Sequence, residues 1–93
     1  MGVAFKIVYH ELVVKEDIPK LSTTDKLRIK QAIEEKLTKE PEAFGKPLRR
    51  SLRGYRKLRV GDFRIIFCID KVDVKILFIG HRSIVYQMAS KRF

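Results

Sequence analysis

The stretch RGYRKLRVGDFR, residues 53–64, sets five basic side chains (Arg53, Arg56, Lys57, Arg59 and Arg64) against one acid, Asp62. Tyr55, Leu58, Val60 and Phe63 flank a Gly61-Asp62 turn in the manner of a β-hairpin. Like charges crowded on neighbouring strands do not stabilise a small sheet. The chemistry that suits such a hairpin is the capture of a polyanion: RNA, DNA or an acidic protein. Other chemistries find no support in the spacing. His10, His81 and Cys68 are too far apart in sequence to suggest a metal site. There is no glycine-rich phosphate loop, and nothing suggests a Ser-His-Asp arrangement. No metal, cofactor or small-molecule substrate is expected.

The charge is localised. Lys and Arg total 21 and Asp and Glu 11, for a net charge of +10. Residues 22–43 hold five bases and five acids, the balance of an ordinary solvated helix. Residues 46–64 hold eight bases against Asp62, and residues 81–93 add Arg82, Lys91 and Arg92 with no acid. A localised excess marks a binding face more often than a solubility device. Arg49, Arg50, Arg53, Arg56 and Arg59 are read as nucleic-acid-binding residues that meet backbone phosphates and confer no sequence choice.

The elements that must carry this face follow from periodicity. The 93 residues, 45% of them apolar, read as a single domain over 1–93 with a modest core. No apolar run is long enough to span a bilayer, and the start lacks a signal-peptide pattern. Cys68 lies in the apolar run FRIIFCI, which predicts a buried strand thiol in a cytoplasmic protein. Residues 3–9 alternate as a first strand. Leu12, Val13 and Val14 begin a short helix that Pro19 ends or kinks. Ser22 and Asp25 have capping-box spacing, Ile29, Ala32, Ile33 and Leu37 form one apolar stripe, and Glu40-Pro41 stops the second helix. Residues 41–52 read as a connection. Residues 55–60, 63–69 and 72–79 read as a three-strand antiparallel meander, and the tail after Gly80 as a possible helical turn.

The order β-α-α-β-β-β predicts an α+β fold: an antiparallel sheet with two helices packed on one face. The first strand joins an edge of the meander. Alternation points Leu58 and Val60 toward the helices and Tyr55, Lys57 and Arg59 away from them. The charge then lies on the face the helices leave open.

Two stretches, LRGYRKLRVGDFRIIFCID (52–70) and IGHRSIVY (79–86), resemble the RelE/ParE superfamily of toxins from toxin–antitoxin pairs. Length and element order agree, so the resemblance covers nearly the whole chain and implies a RelE-like, microbial-ribonuclease-type architecture. RelE-like members cleave messenger RNA in the A site of the 70S ribosome without a metal, by attack of the 2′-hydroxyl on the adjacent phosphate. The resemblance implies catalytic roles for Lys57 before the turn, Arg64 after it, Arg82 in Gly-His-Arg, and Tyr86. One position departs: where the best-known members have a second lysine two residues before the first, this chain has Tyr55. The resemblance also implies a cognate antitoxin, expected to be acidic.

The residues fit such chemistry as follows. A lysine takes the 2′-hydroxyl proton when neighbouring cations favour its neutral form, and merely contacts phosphate otherwise. An arginine beside it stabilises the charge of the pentacoordinate phosphate. Arg82 and Tyr86, four apart, face alike if the tail is helical, and the tyrosine stacks on a base, moves a proton, or pegs the sheet edge. His81 and His10 read as structural. The rival readings are a ParE-like inhibitor of DNA gyrase, which needs the fold and the charge but not those four residues together, and a basic RNA-binding module without catalysis.

Overall fold

The computed structural model describes residues 4–44, 46–48 and 54–92. Its strands are β1 (Lys6–Tyr9), β2 (Lys46–Pro47), β3 (Arg56–Val60), β4 (Phe63–Asp70) and β5 (Asp73–His81). They form one sheet in the order β1-β5-β4-β3-β2. The meander β3-β4-β5 is antiparallel throughout. β1, however, pairs with β5 in parallel, Lys6 opposite Asp73 and Tyr9 opposite Ile76, so the sheet is mixed and not wholly antiparallel. The cause is the connection. The second helix ends beside the start of β1, where the Phe5 N–H donates to the Thr38 carbonyl at 2.9 Å. The chain therefore re-enters the sheet from the end at which β1 began, and β3 and β5 run with β1. Alternation in a strand reports its faces and not its direction.

His10 opens the first helix. Its Nδ1 accepts the Leu12 N–H at 3.0 Å, and its carbonyl accepts from Val13 at 3.0 Å. The middle of this helix, Val13–Asp17, is a π-turn, and Pro19 lies in a closing 3₁₀ turn, Ile18–Lys20. Ser22 caps the second helix, accepting the Asp25 N–H at 3.1 Å. That helix runs through Thr23–Ala32 and a π-wound last part, Ile33–Leu37. Its stripe of Ile29, Ile33 and Leu37 is buried against Leu58, Ile65, Phe67, Val74 and Ile76. Each such aliphatic or phenyl side chain contributes about 1.5–3 kcal/mol.

Three further features differ from the sequence reading. Residues 41–52 are more than a connection: Pro41 begins a short helix, Pro41–Phe44, and Lys46–Pro47 pairs with Arg56 and Lys57. Proline suits a first helical turn, where its missing N–H has no partner to lose. The tail is a full helix, Val85–Arg92. This last helix lies on the sheet face opposite the first two, with Val85 and Ala89 buried on Ile66 and Phe78. Finally, Cys68 is half-buried rather than buried, and stands opposite Lys75 on the face of Arg64 and Ile66. Burial pushes its thiol above the usual range; Asp70 adds to this and Lys75 works against it.

A bulge decides the second core. Ile66 pairs with Phe78 but Phe67 with Ile76, which leaves Leu77 as the extra residue of β5. Val74 and Ile76 face the first two helices, and without the bulge Phe78 would do so too. The extra residue reverses the alternation and sends Phe78 under the last helix. No helix among the described residues is long and apolar enough to cross a membrane.

Candidate active site

β3 and β4 present one side-chain set to the helical core and the other to the opposite face. On that opposite face Lys57 and Arg59 from β3 stand with Arg64 from β4. Arg59 is directly opposite Arg64, and Lys57 is opposite Ile66, so Arg64 is the diagonal neighbour of Lys57, roughly 7 Å away between Cβ atoms. The last helix covers the part of this face over Ile66 and Phe78 and leaves the hairpin end open.

The contact that assembles the site is between Lys57 and Tyr86. The Lys57 Nζ donates to the Tyr86 Oη at 2.8 Å, across 29 residues of sequence. Nζ lies 5.4 Å from the ring centroid, the separation expected of a partner at the phenol oxygen. Tyr86 is 39% exposed, so its ring is accessible beside the lysine. Arg64 Nη1 donates to the carbonyls of Gly61 and Phe63 at 3.0 and 2.9 Å. These bonds fold the guanidinium over the turn and orient it. Opposite it on β5 is Gly80, where a Cβ would come 2.5 Å from the Phe78 ring; only glycine leaves that ring its place.

Arg82 occupies the turn before the last helix, so it does not share a helical face with Tyr86. A backbone bond holds it to the hairpin, its N–H donating to the Asp62 carbonyl at 2.8 Å. Its Nε is 3.8 Å from the Asp62 carboxylate, with both side chains largely exposed. Asp62 thus ties Arg82 to the rim on which Arg64 lies, through an exposed pair that contributes little to stability. The structure brings Lys57 and Tyr86 into contact and places Arg64 and Arg82 at the two sides of the Gly61-Asp62 turn.

The remaining basic residues divide. Arg59 is exposed on the site face. Arg56 has the opposite parity, and its Nη1 reaches the Glu42 carbonyl at 3.5 Å. Arg49, Arg50 and Arg53 lie outside the described residues. One cation was not legible as part of the rim. Arg28, in the charge-balanced second helix, brings its Nη2 to 3.0 Å from where a Gly61 Cβ would stand. No local pattern marks it, because the contact is made by folding. Gly61 has φ +58°, so glycine serves both the left-handed backbone and that close approach.

Tyr55 is half-buried and packs against the Ile66, Phe78, Val85 and Ala89 cluster. His81 has the parity of Phe63, which its ring meets edge-on at 6.0 Å, and its Nδ1 accepts the Ser83 N–H at 3.1 Å. It therefore stands across the sheet from Arg64. Among the described residues no three of His, Cys, Asp and Glu gather in a way that could hold a metal. A largely apolar pocket of ≈ 330 Å³ between the first two helices is lined by Tyr9, Ile18, Leu21, Ile29 and Ile33 and includes none of the four site residues.

Comparison with known proteins shows the family. The family described as the ParE toxin of type II toxin–antitoxin system, parDE, matches residues 9–86. Toxin RelE of Mycobacterium tuberculosis is 41% identical over 54 residues, 56% of this chain and 56% of that protein, so the match spans little more than half of this curated relative. In the crystal structure of the toxin–antitoxin complex RelBE2 from the same organism, the similar chain has a TM-score of 0.80 and 30% identity, covering 87% of this chain and 94% of that one. A free arginine-to-alanine variant of E. coli toxin RelE has a TM-score of 0.71 and 26% identity, over 97% of this chain and 98% of that one. With the family pattern running from the end of β1 to Tyr86 and the fold shared across nearly the whole chain, this protein belongs to the RelE/ParE superfamily of type II toxin–antitoxin toxins.

Proposed function

We propose that this toxin is a ribosome-dependent, metal-independent endoribonuclease that cleaves messenger RNA in the A site and so stops translation. The observation that carries the reading is the 2.8 Å contact of Lys57 with Tyr86 on the same open face as Arg64. In the proposed reaction the 2′-oxygen attacks the adjacent phosphorus, the bond to the 5′-oxygen breaks, and a cyclic phosphate forms. Lys57 is the general base that takes the 2′-hydroxyl proton. The guanidinium groups of Arg64 and Arg82 meet the charge on the non-bridging oxygens, so no step calls for a metal. Tyr86 exchanges its bond to Lys57 for the leaving 5′-oxygen, to which its phenol gives a proton, and it recovers a proton from Lys57, which holds the one taken from the 2′-hydroxyl. Tyr55, half-buried against the cluster beneath the last helix, is given no catalytic role. Arg59 binds phosphate beside the site.

The test is product chemistry on programmed ribosomes. A 2′,3′-cyclic phosphate and a 5′-hydroxyl are expected; a 5′-phosphate with a 3′-hydroxyl would contradict attack by the 2′-hydroxyl. The second reading, ParE-like inhibition of DNA gyrase, is favoured by the description of the matched family. A protein that blocks gyrase supercoiling and leaves ribosome-bound messenger intact would establish that reading instead.

An acidic antitoxin is the proposed protein partner, by analogy with the RelBE2 toxin–antitoxin complex. With a net charge of +10, association is expected to be electrostatically steered, its rate falling at least about tenfold from low to high salt. Stopped-flow mixing with the cognate antitoxin measures this, and a rate indifferent to salt would place the antitoxin away from the basic face. The proposed site of action is the cytoplasm, where translating ribosomes are found.

A further inference from the structure

β1 pairs with β5 only as far as Ile76, and the bulge at Leu77 follows at once. Beyond it the backbone of β5 is taken up by two charged side chains in place of a strand. Asp17, at the end of the π-turn, accepts the Ile79 N–H on Oδ2 at 2.9 Å. Arg92, in the last turn of the last helix, donates from Nη1 to the Leu77 carbonyl at 3.0 Å. The two also bind each other as a fork, Nη1 to Oδ2 at 2.8 Å and Nη2 to Oδ1 at 3.0 Å. The Arg92 and Asp17 side chains are only 8% and 4% exposed, respectively. The Arg92 guanidinium lies 4.6 Å from the Phe78 ring centroid, and Glu16 is 3.4 Å from its Nη2. One arginine thus joins the first helix, the bulge in β5 and the last helix.

What the last helix carries is Tyr86, six residues before Arg92. An eight-residue helix does not persist in water on its own strength. Its buried side chains are small, Val85 and Ala89. If the last turn frays, too few hydrogen-bonded rungs remain to hold the rest, and Tyr86 leaves Lys57. We propose that Asp17 and Arg92 are positioning residues, which act on the reaction only by holding Tyr86 against Lys57; this rests on the ribonuclease reading above.

The test begins with Arg92→Lys, which keeps a positive charge on Asp17 but can neither fork nor stack. The double variant Asp17→Asn/Arg92→Gln leaves no buried charge unpaired, only the exposed Glu16, and supplies the same comparison if the single variant fails to fold. Amide hydrogen exchange across residues 85–92 is expected to quicken by about tenfold or more while β4 keeps its protection, the signature of local and not global opening. Single-turnover cleavage should fall about tenfold with Tyr86 present, and change less than about twofold in a Tyr86→Ala background, as coupled groups behave. Equal losses in both backgrounds, or unchanged exchange in the last helix, would overturn the proposal. A wild-type protein that leaves messenger intact on ribosomes overturns the ribonuclease reading alone; the exchange measurement then decides whether the pair holds the helix.

Discussion

Replacing Arg64 by alanine is expected to lower messenger cleavage on ribosomes by about 10²–10³-fold, the cost of removing one preorganised donor to a developing oxyanion. The fold should survive the change. Arg64 stands on the open face of β4, away from the cluster that buries Ile65 and Phe67 on the other side. What its side chain gives the fold is two bonds to the Gly61 and Phe63 carbonyls, each worth about 0.5–1.5 kcal/mol net. Circular dichroism and a thermal melt separate this small loss from the catalytic one. Arg64→Lys restores the charge but not the planar fork, so its rate is expected to fall between the two. Full cleavage by folded Arg64→Ala would remove Arg64 from the reacting phosphate.

Asp17→Ala is expected to produce a larger change in stability, about 3–5 kcal/mol, because it strands the buried Arg92 guanidinium and leaves the Ile79 N–H without its acceptor. Small domains have only about 5–15 kcal/mol in total. The exposed Lys75–Asp70 pair is the internal control: its separation is 3.3 Å, yet Asp70→Ala should cost no more than about 1 kcal/mol. Urea unfolding of both variants gives the comparison directly. Similar small effects would mean that the Asp17–Arg92 contact is solvated and bears little on the last helix.

Much of the frame was legible without coordinates. The Leu58/Val60 parity, the Gly61-Asp62 turn, the Ser22 cap and the Ile29-Ile33-Leu37 stripe are each set by interactions within a few residues, and periodicity reports such interactions well. The basic face was readable for the same reason: once one side of β3 is apolar, Lys57 and Arg59 must occupy the other. The bases of residues 46–64 also raised the expectation of a polyanion partner, since charge is a property of composition as much as of fold.

Tertiary structure alone decided the rest. The direction of β1 depends on where the second helix ends, and no pattern within a strand encodes that. The bulge at Leu77 is one residue of misregister between β4 and β5, visible only when both strands are paired. It sends Phe78 to the far face and so gives the last helix a core to rest on. Asp17 and Arg92 lie 75 residues apart, and no local pattern singles out either one, because folding alone buries them on one another. The Lys57–Tyr86 bond is of the same kind. Residue types and strand alternation are local, so both were legible in the sequence, and the family resemblance supplied the candidates Lys57, Arg64, Arg82 and Tyr86. Which of them meet was decided by the long-range packing of the last helix, because that packing is shared among residues that no local window contains.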